Sequence, residues 1–294
     1  YRKRFTRHSG VNENMKKSKV AFQGELGAYS HIAVNELFEN PEIKTCSTFE
    51  ETFKVAFENE DFKIVIPLEN SLAGRVADIH YLLPKYKLQI HAEHFQKVEH
   101  NLLARENTKL EEIKYVRSHS QAIGQCQKII MENKYKTIIS ADTAGSAKEL
   151  ADGNDNSIAA IASKLSAKIY KLKILKENIE DEKGNVTRFL IMGKNVQQPE
   201  YTKGKKYITT CTFRLKSEPA ALYKSLGGFA TNQVNMTKLE SFSVKNTFAQ
   251  TNFYLDFEGH IEEKPVQNAM EELGFHTESL DILGVYEASN FRQN

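Results

Sequence analysis

From Lys19 to about Gly193, short apolar runs alternate with stretches whose apolar residues recur every three or four positions. Such alternation predicts strands and helices in turn, and with them an α/β fold built on parallel strands. Val20-Ala21-Phe22 reads as a first strand, followed by a turn containing Gly24 and Gly27. A helix capped by Ser30 should then turn Ile32, Ala33, Leu37 and Phe38 inward. Thr48 and Glu51 have capping-box spacing and predict a helix over 49–59. Lys63 to Leu68, apolar on both faces, reads as a buried strand. Ser118 or Ser120 should cap a helix over 121–132, and Asp142 or Thr143 one over 144–151. Ser157 should start an Ala-rich helix through Ala159, Ala160, Ala162 and Ala167.

The pattern changes after a polar, Pro- and Gly-bearing linker at 196–206. A strand over 207–215 leads to a helix from Pro219 through Leu226, then strands over 234–244 and 251–258, a helix over 265–273 and a strand over 279–286. That βαββαβ order is the split, ferredoxin-like unit. The chain thus divides into a leader (1–18), an α/β domain (19–195), the linker (196–206) and a second domain (207–294).

Charge changes this picture at one end only. Residues 1–19 carry seven Lys or Arg against one acid, Glu13, which leaves 33 bases and 37 acids to the other 275 residues. The head lacks an apolar segment and hydrophobic periodicity, so it reads as a disordered basic leader and not a secretory signal. Met15, followed by Lys-Lys-Ser-Lys-Val, offers a natural start. The body has no basic excess for nucleic acid, and no apolar run approaches the roughly 20 residues of a membrane span. Cys46, Cys126 and Cys211 lie far apart without metal-ligand spacing, which points to a reducing cytoplasm and no metal.

Polar clusters fall where strands meet helices, the usual place for ligands in α/β sheets. Glu69-Asn70-Ser71 follows the buried strand and could orient a polar ligand or simply turn the chain. Ser118-His119-Ser120-Gln121 opens a helix with Gln121 and Gln125 on one face, and suits an anion or plain capping. Asp142-Thr143-Ala144-Gly145-Ser146 begins another helix. Gly24 to Ser30 fits neither nucleotide-binding glycine pattern. Asn185-Val186-Thr187-Arg188-Phe189 ends a polar loop and enters an apolar strand. It sets a hydroxyl that can protonate a leaving group beside a guanidinium that can hold a carboxylate, unless it is an ordinary strand edge. His91, His94 and His100 read as solvent-facing, Tyr81 and Tyr86 as packing residues. A Ser-His triad at His119 is disfavoured, because neighbouring residues rarely face one another and no nucleophile elbow is present.

These clusters, in this order, resemble the prephenate dehydratase family. Gly24-Glu25-Leu26-Gly27-Ala28-Tyr29-Ser30-His31 matches its glycine turn and Pro67-Leu68-Glu69-Asn70-Ser71 its Pro-x-Glu-Asn-Ser segment. Ser118 to Cys126 is similar to its Ser-His-Pro-Gln helix start, with Ser120 in place of Pro, and Asp142 to Ala147 matches the next element. Asn185-Val186-Thr187-Arg188-Phe189 is the signature, and the resemblance runs over residues 20–192. It implies two lobes like type II periplasmic binding proteins around a cleft, and cofactor-free decarboxylative dehydration of prephenate to phenylpyruvate. Thr187 would assist loss of the hydroxyl and Arg188 grip a carboxylate, with Asn70, Ser118, Gln125 and Glu69 completing the catalytic set. Ser71, Tyr29, Ser30, Thr143, Ala144 and Phe189 would bind substrate.

The resemblance continues as an ACT-type regulatory domain over about 207–290. It implies feedback by L-phenylalanine between subunits of a homodimer or tetramer, through Ala220, Ala221, Leu222, Asn235, Leu239, Glu240 and Ser241. Here the chain departs from the family pattern: Glu218-Pro219-Ala220-Ala221-Leu222 stands where Pro-Gly-Ala-Leu is common, and Leu239-Glu240-Ser241-Phe242 replaces Glu-Ser-Arg-Pro. An ACT module that only dimerises is the alternative. No chorismate mutase-like segment precedes residue 20, so the chain reads as monofunctional. Arogenate dehydratase and a small-acid binding or sensing protein are the rival functions.

Overall fold

The computed structural model describes residues 18–243 and 250–293. The leader expected over 1–18, apart from Ser18, and the last residue of the strand expected over 234–244 lie outside them. The elements in chain order are β1 (Lys19–Gln23), α1 (Tyr29–Leu37), β2 (Glu42–Cys46), α2 (Phe49–Glu58), β3 (Phe62–Asn70), β4 (Gly74–Arg75), α3 (Ala77–Tyr86) and β5 (Gln89–Lys97). Then come β6 (Asn101–Ala104), β7 (Tyr115–Ser118), α4 (Ser120–Gly124), α5 (Gln127–Glu132), β8 (Lys136–Ile139), α6 (Thr143–Asp152), β9 (Ile158–Ala162), α7 (Lys164–Ile169), β10 (Lys173–Lys176) and β11 (Val186–Gly193). The C-terminal unit comprises β12 (Tyr207–Leu215), α8 (Ala221–Thr231), β13 (Met236–Ser243), β14 (Thr251–Glu258), α9 (Lys264–Phe275) and β15 (Thr277–Glu287).

Three sheets result. The first lobe has the order β2-β1-β3-β11-β5, with β4 on β3; the second has β10-β6-β9-β7-β8; the C-terminal unit has β13-β14-β12-β15. Both lobe sheets are mixed: β1 pairs parallel with β2 and β3, whereas β11 lies antiparallel between β3 and β5. The chain leaves the first lobe between β5 and β6 and returns between β10 and β11, so two adjacent segments join the lobes. They are tied where the Val98 N–H donates to the Asn185 carbonyl at 2.8 Å.

Local chemistry explains most elements and corrects three expectations. Thr48 caps α2 by accepting from the Glu51 N–H, and Asp142 caps α6 by accepting from the Gly145 N–H. Ser30 does not cap α1; it lies buried in the first turn. The helix expected over 121–132 breaks at Gln125–Cys126 into α4 and α5, and the His119 imidazole, not a serine, accepts from the Gln121 N–H. The Ala-rich segment after Ser157 is strand β9, and its Ala159 to Ala162 are fully buried at the centre of their sheet. Small residues fit there because layers cover both faces, and burial overrides their helix propensity.

The C-terminal sheet shows its two faces to different partners. Phe213, Phe253, Leu255 and Phe257 pack under α8 and α9. Ile208, Tyr254, Leu283 and Tyr286 pack instead with Leu83, Ile90, Leu190 and Met192 of the first lobe, so the lobe and the C-terminal unit share a core. At Gly284 a Cβ would come 2.5 Å from the Ile90 carbonyl oxygen, so glycine permits this approach.

Into that shared core goes His80, between the rings of Phe242 and Tyr254, with neither ring nitrogen hydrogen-bonded. Burial pulls its pKa below the ordinary value. The unfolded chain would bind this proton near pH 6.5 and the native state only at lower pH, so stability falls as pH drops through that interval. We expect His80→Phe to flatten the acid-side decline in Tm below about pH 6.5. Melting curves of both proteins from neutral to mildly acid pH test this, and identical slopes would show that His80 does not drive the decline.

Candidate active site

β11 carries the site because side chains alternate along a strand. Phe189 and Ile191 pack with Ala33 and Val34 of α1, while Leu190 and Met192 point to the C-terminal unit. Thr187 belongs to the first set and Arg188 to the second. Register extends both rows: Gly74, Asn70 and Thr187 stand abreast on β4, β3 and β11, as do Arg75, Glu69 and Arg188.

The first row opens on a cleft of about 450 Å³ between the lobes. Asn70, Thr187, Phe189, Tyr29 and Ser30 line it from the first lobe, and Gln121, Gln125, Asp142 and Thr143 from the second. The Asn70 carbonyl oxygen accepts from the backbone N–H groups of Leu72 and Ala73 at 3.0 and 2.9 Å. Because a backbone N–H can only donate, this fixes the amide orientation. Its nitrogen therefore faces Thr187 Oγ1 at 3.0 Å and Asn185 Oδ1 at 2.6 Å. Thr187 thus receives a hydrogen bond, and among the described residues its own proton has no acceptor. A hydroxyl held this way can donate to an oxygen in the cleft.

Other nominated groups lie elsewhere. The Arg188 guanidinium, 3 % exposed, is spent on the far face. It meets Glu93 at 2.9 Å, Asp256 at 2.5 Å, Glu69 at 3.3 Å and the Tyr286 hydroxyl at 3.0 Å. The expected grip on a substrate carboxylate does not fit this geometry, because successive strand residues face opposite ways. Glu69 follows Arg188 and also holds Lys238 at 2.7 Å, outside the cleft lining. Ser118 is fully buried and donates to the Ile161 carbonyl at 2.7 Å; Ala144 is buried in α6; Ser71 accepts from the Val186 N–H.

The effector residues expected on the C-terminal unit are dispersed. Ala220 precedes α8 at φ +58°, the left-handed region that glycine occupies without strain. Ala221 is buried, Leu222 packs against the helix-side core, and Asn235 lines a separate cavity of about 450 Å³ with Lys205 and Glu263. On β13, Leu239 is exposed, whereas Glu240 turns to the first lobe and meets Lys238 at 3.0 Å and Arg75 at 3.5 Å.

Three site residues had no role assigned from the sequence, although Asn185 lies within the signature segment. His100, expected in solvent, is buried in the cleft wall, and burial lowers its pKa. Asn185 is 1 % exposed and joins Asn70 to Gln125. Arg75 is the single Arg or Lys among the described cleft-lining residues, and its Nη1 also donates to the Ser241 carbonyl at 2.8 Å. Only Asn185 had a sequence signal, as the first residue of the signature segment, directly before an apolar strand. Among the described residues no cluster of three or more His, Cys, Asp or Glu could hold a metal ion, and no helix is long and apolar enough to cross a membrane.

Two α/β lobes around a cleft walled by neutral donors, with a βαββαβ unit packed on one lobe, define a small-acid enzyme with an appended domain. The family model for prephenate dehydratase matches residues 20–197, and the chain belongs to that family of hydro-lyases. A bifunctional N-acyl-homoserine lactone acylase/prephenate dehydratase of Komagataeibacter europaeus is 40 % identical over 93 % of this chain and 97 % of its own. Arogenate dehydratase/prephenate dehydratase 2 of Arabidopsis thaliana is 34 % identical over 93 % of this chain and 74 % of its own. Among solved structures, prephenate dehydratase from Arthrobacter aurescens in complex with L-Phe superposes with a TM-score of 0.84 at 26 % identity, covering 92 % of this chain and 90 % of its own.

Arg188→Gln would leave Asp256 and Glu93 buried without their full charge partner, at a cost of about 3–5 kcal/mol. We expect a marked fall in Tm; a variant as stable as the wild type would show that Arg188 is not the clamp described here.

Proposed function

We propose that this protein converts prephenate to phenylpyruvate, with Thr187 as the hydrogen-bond donor to the departing hydroxyl. The carbon–carboxylate bond breaks as CO2 leaves, and its electron pair enters the ring. The ring carbon–oxygen bond breaks in the same elimination, and the leaving oxygen takes a proton and departs as water. One proton is consumed overall, and aromatisation supplies the driving force. The protein's task is then to orient the diacid and stabilise the developing hydroxide. The observation that carries this reading is the Asn70-to-Thr187 hydrogen bond, which fills a lone pair on Oγ1 and leaves its proton for the substrate. The first-turn N–H groups of α6 are the positive feature that would face a carboxylate.

Thr187→Ala should lower kcat by a factor on the order of 10² or more while the fold persists, and Thr187→Ser should retain far more activity. Phenylpyruvate formation from prephenate measures both; near-normal turnover in folded Thr187→Ala would remove the hydroxyl from the mechanism. The Arabidopsis relative makes arogenate the second substrate to assay, and turnover equal to or above that of prephenate would reverse the assignment. The Komagataeibacter relative likewise calls for an assay with N-acyl-homoserine lactone. Among the described residues, Tyr29 is the only hydroxyl or thiol hydrogen-bonded to a histidine in the cleft, so a Ser–His acyl-transfer pair is not assembled there.

The C-terminal unit acts, in this reading, as an ACT-type regulatory domain for L-phenylalanine in a homo-oligomer. The phenylalanine-bound Arthrobacter relative supports that assignment. L-Phenylalanine at about 100 times its Kd should raise native-state stability by about 2.7 kcal/mol, and L-tyrosine should not. Melting with each amino acid tests it; no shift with phenylalanine would leave the domain an effector-free module.

A further inference from the structure

We infer that His100 and Asn185 are positioning residues: they lock the two interlobe crossings together and hold Asn70 and Thr187 in their working orientation. This rests on the dehydratase reading above. His100 lies in the outgoing crossing, between β5 and β6, and Asn185 in the returning one, just before β11. Each is bonded to both lobes. His100 Nδ1 meets the Tyr29 hydroxyl of α1 at 2.9 Å, and its Nε2 meets Gln125 Oε1 beside α4 at 2.8 Å. Asn185 accepts from Asn70 Nδ2 at 2.6 Å and donates to the same Gln125 oxygen at 2.9 Å.

The direction of every link follows from one end. The Leu72 and Ala73 N–H groups fix the Asn70 amide, so Asn70 donates to Asn185 Oδ1. Asn185 must then offer its nitrogen to Gln125, whose oxygen is an acceptor for both neighbours. His100 Nε2 therefore carries a proton. Burial disfavours the imidazolium; the Tyr29 hydroxyl donates its single proton to the Glu99 carbonyl at 2.8 Å and sets its oxygen 2.9 Å from Nδ1. The His100–Gln125–Asn185–Asn70–Thr187 chain has one consistent set of donors and acceptors, with Tyr29 beside its His100 end. It couples the angle between the lobes to the group that orients the Thr187 hydroxyl.

Mispositioning by a fraction of an ångström to about 1 Å can cost up to about 10²-fold in rate. His100→Phe and Asn185→Ala should each lower kcat for prephenate by roughly 10-fold or more, with KM within about 3-fold of wild type. The double variant should be no slower than the slower single one, because either change already cuts the chain. His100→Gln, whose amide nitrogen can reach Gln125, should recover kcat to within about 3-fold. If His100→Phe does not fold, His100→Asn replaces it, being too short to reach Gln125, with the same loss expected. Multiplicative losses in the double variant, or wild-type kcat in a folded His100→Phe, His100→Asn or Asn185→Ala, would overturn the inference. A general packing role would instead lower Tm and leave kcat unmoved. Wild-type protein assayed alongside separates the two claims: no phenylpyruvate from it refutes the dehydratase reading and this inference together, whereas normal wild-type turnover with unaffected variants refutes this inference alone.

Discussion

One buried cation organises the contact between the catalytic lobe and the C-terminal unit. Arg188 is enclosed by Glu93 and Glu69 from its own sheet and by Asp256 from the appended one. A guanidinium suits such a place because its planar fork of donors can meet several oxygens at once. Neutralisation continues outward: Arg292 also meets Glu93, and Lys238 bridges Glu69 and Glu240. The arrangement is satisfied charge by charge, which is the condition for burying ions without a large net penalty. Its value for the fold lies less in energy gained than in the cost of any arrangement that leaves a carboxylate unpaired.

That clamp also decides the electrostatics of the cleft. A substrate with two carboxylates would be repelled by an unneutralised Glu69 beside Asn70. Register turns Glu69 to the far face, where Arg188 and Lys238 neutralise it. Asp142, which does line the cleft, is occupied in capping Gly145 at the start of α6. What remains near Thr187 is a set of neutral amides, hydroxyls and an uncharged imidazole. Neutral donors held by one another need little reorganisation as charge moves onto a departing oxygen, which is the property an elimination site requires.

How legible this was depends on which physical rule governed each residue. Alternation of apolar runs gave the α/β class and the βαββαβ unit, and capping chemistry gave the starts of α2 and α6, because these are local effects. The β9 segment misled because alanine favours helices in isolation, while full burial at a sheet centre selects small residues for strands. Thr187 and Arg188 were readable as a site but not as one site. The period of two that assigns β11 to a strand also sends neighbouring side chains to opposite faces. His100 could not be read at all: its burial depends on Tyr29 and Gln125, distant in sequence and brought together only when the lobes assemble.

The same alternation constrains how the appended unit could ever influence the chemistry. An effector changes a distant site only through contacts that differ between two states. The described contacts from the C-terminal sheet to the catalytic lobe run to the face that carries Arg188, Leu190 and Met192, to Arg75, and to β5 where Gly284 meets Ile90. Asp256 and Tyr286 hold Arg188 directly, one peptide bond from Thr187, and Ser241 holds Arg75 at the cleft edge. A rotation of the C-terminal sheet by even a small angle must therefore either carry β11 and β4 with it or break buried ion pairs. Breaking the pairs would leave Asp256 and Glu93 uncompensated in the core.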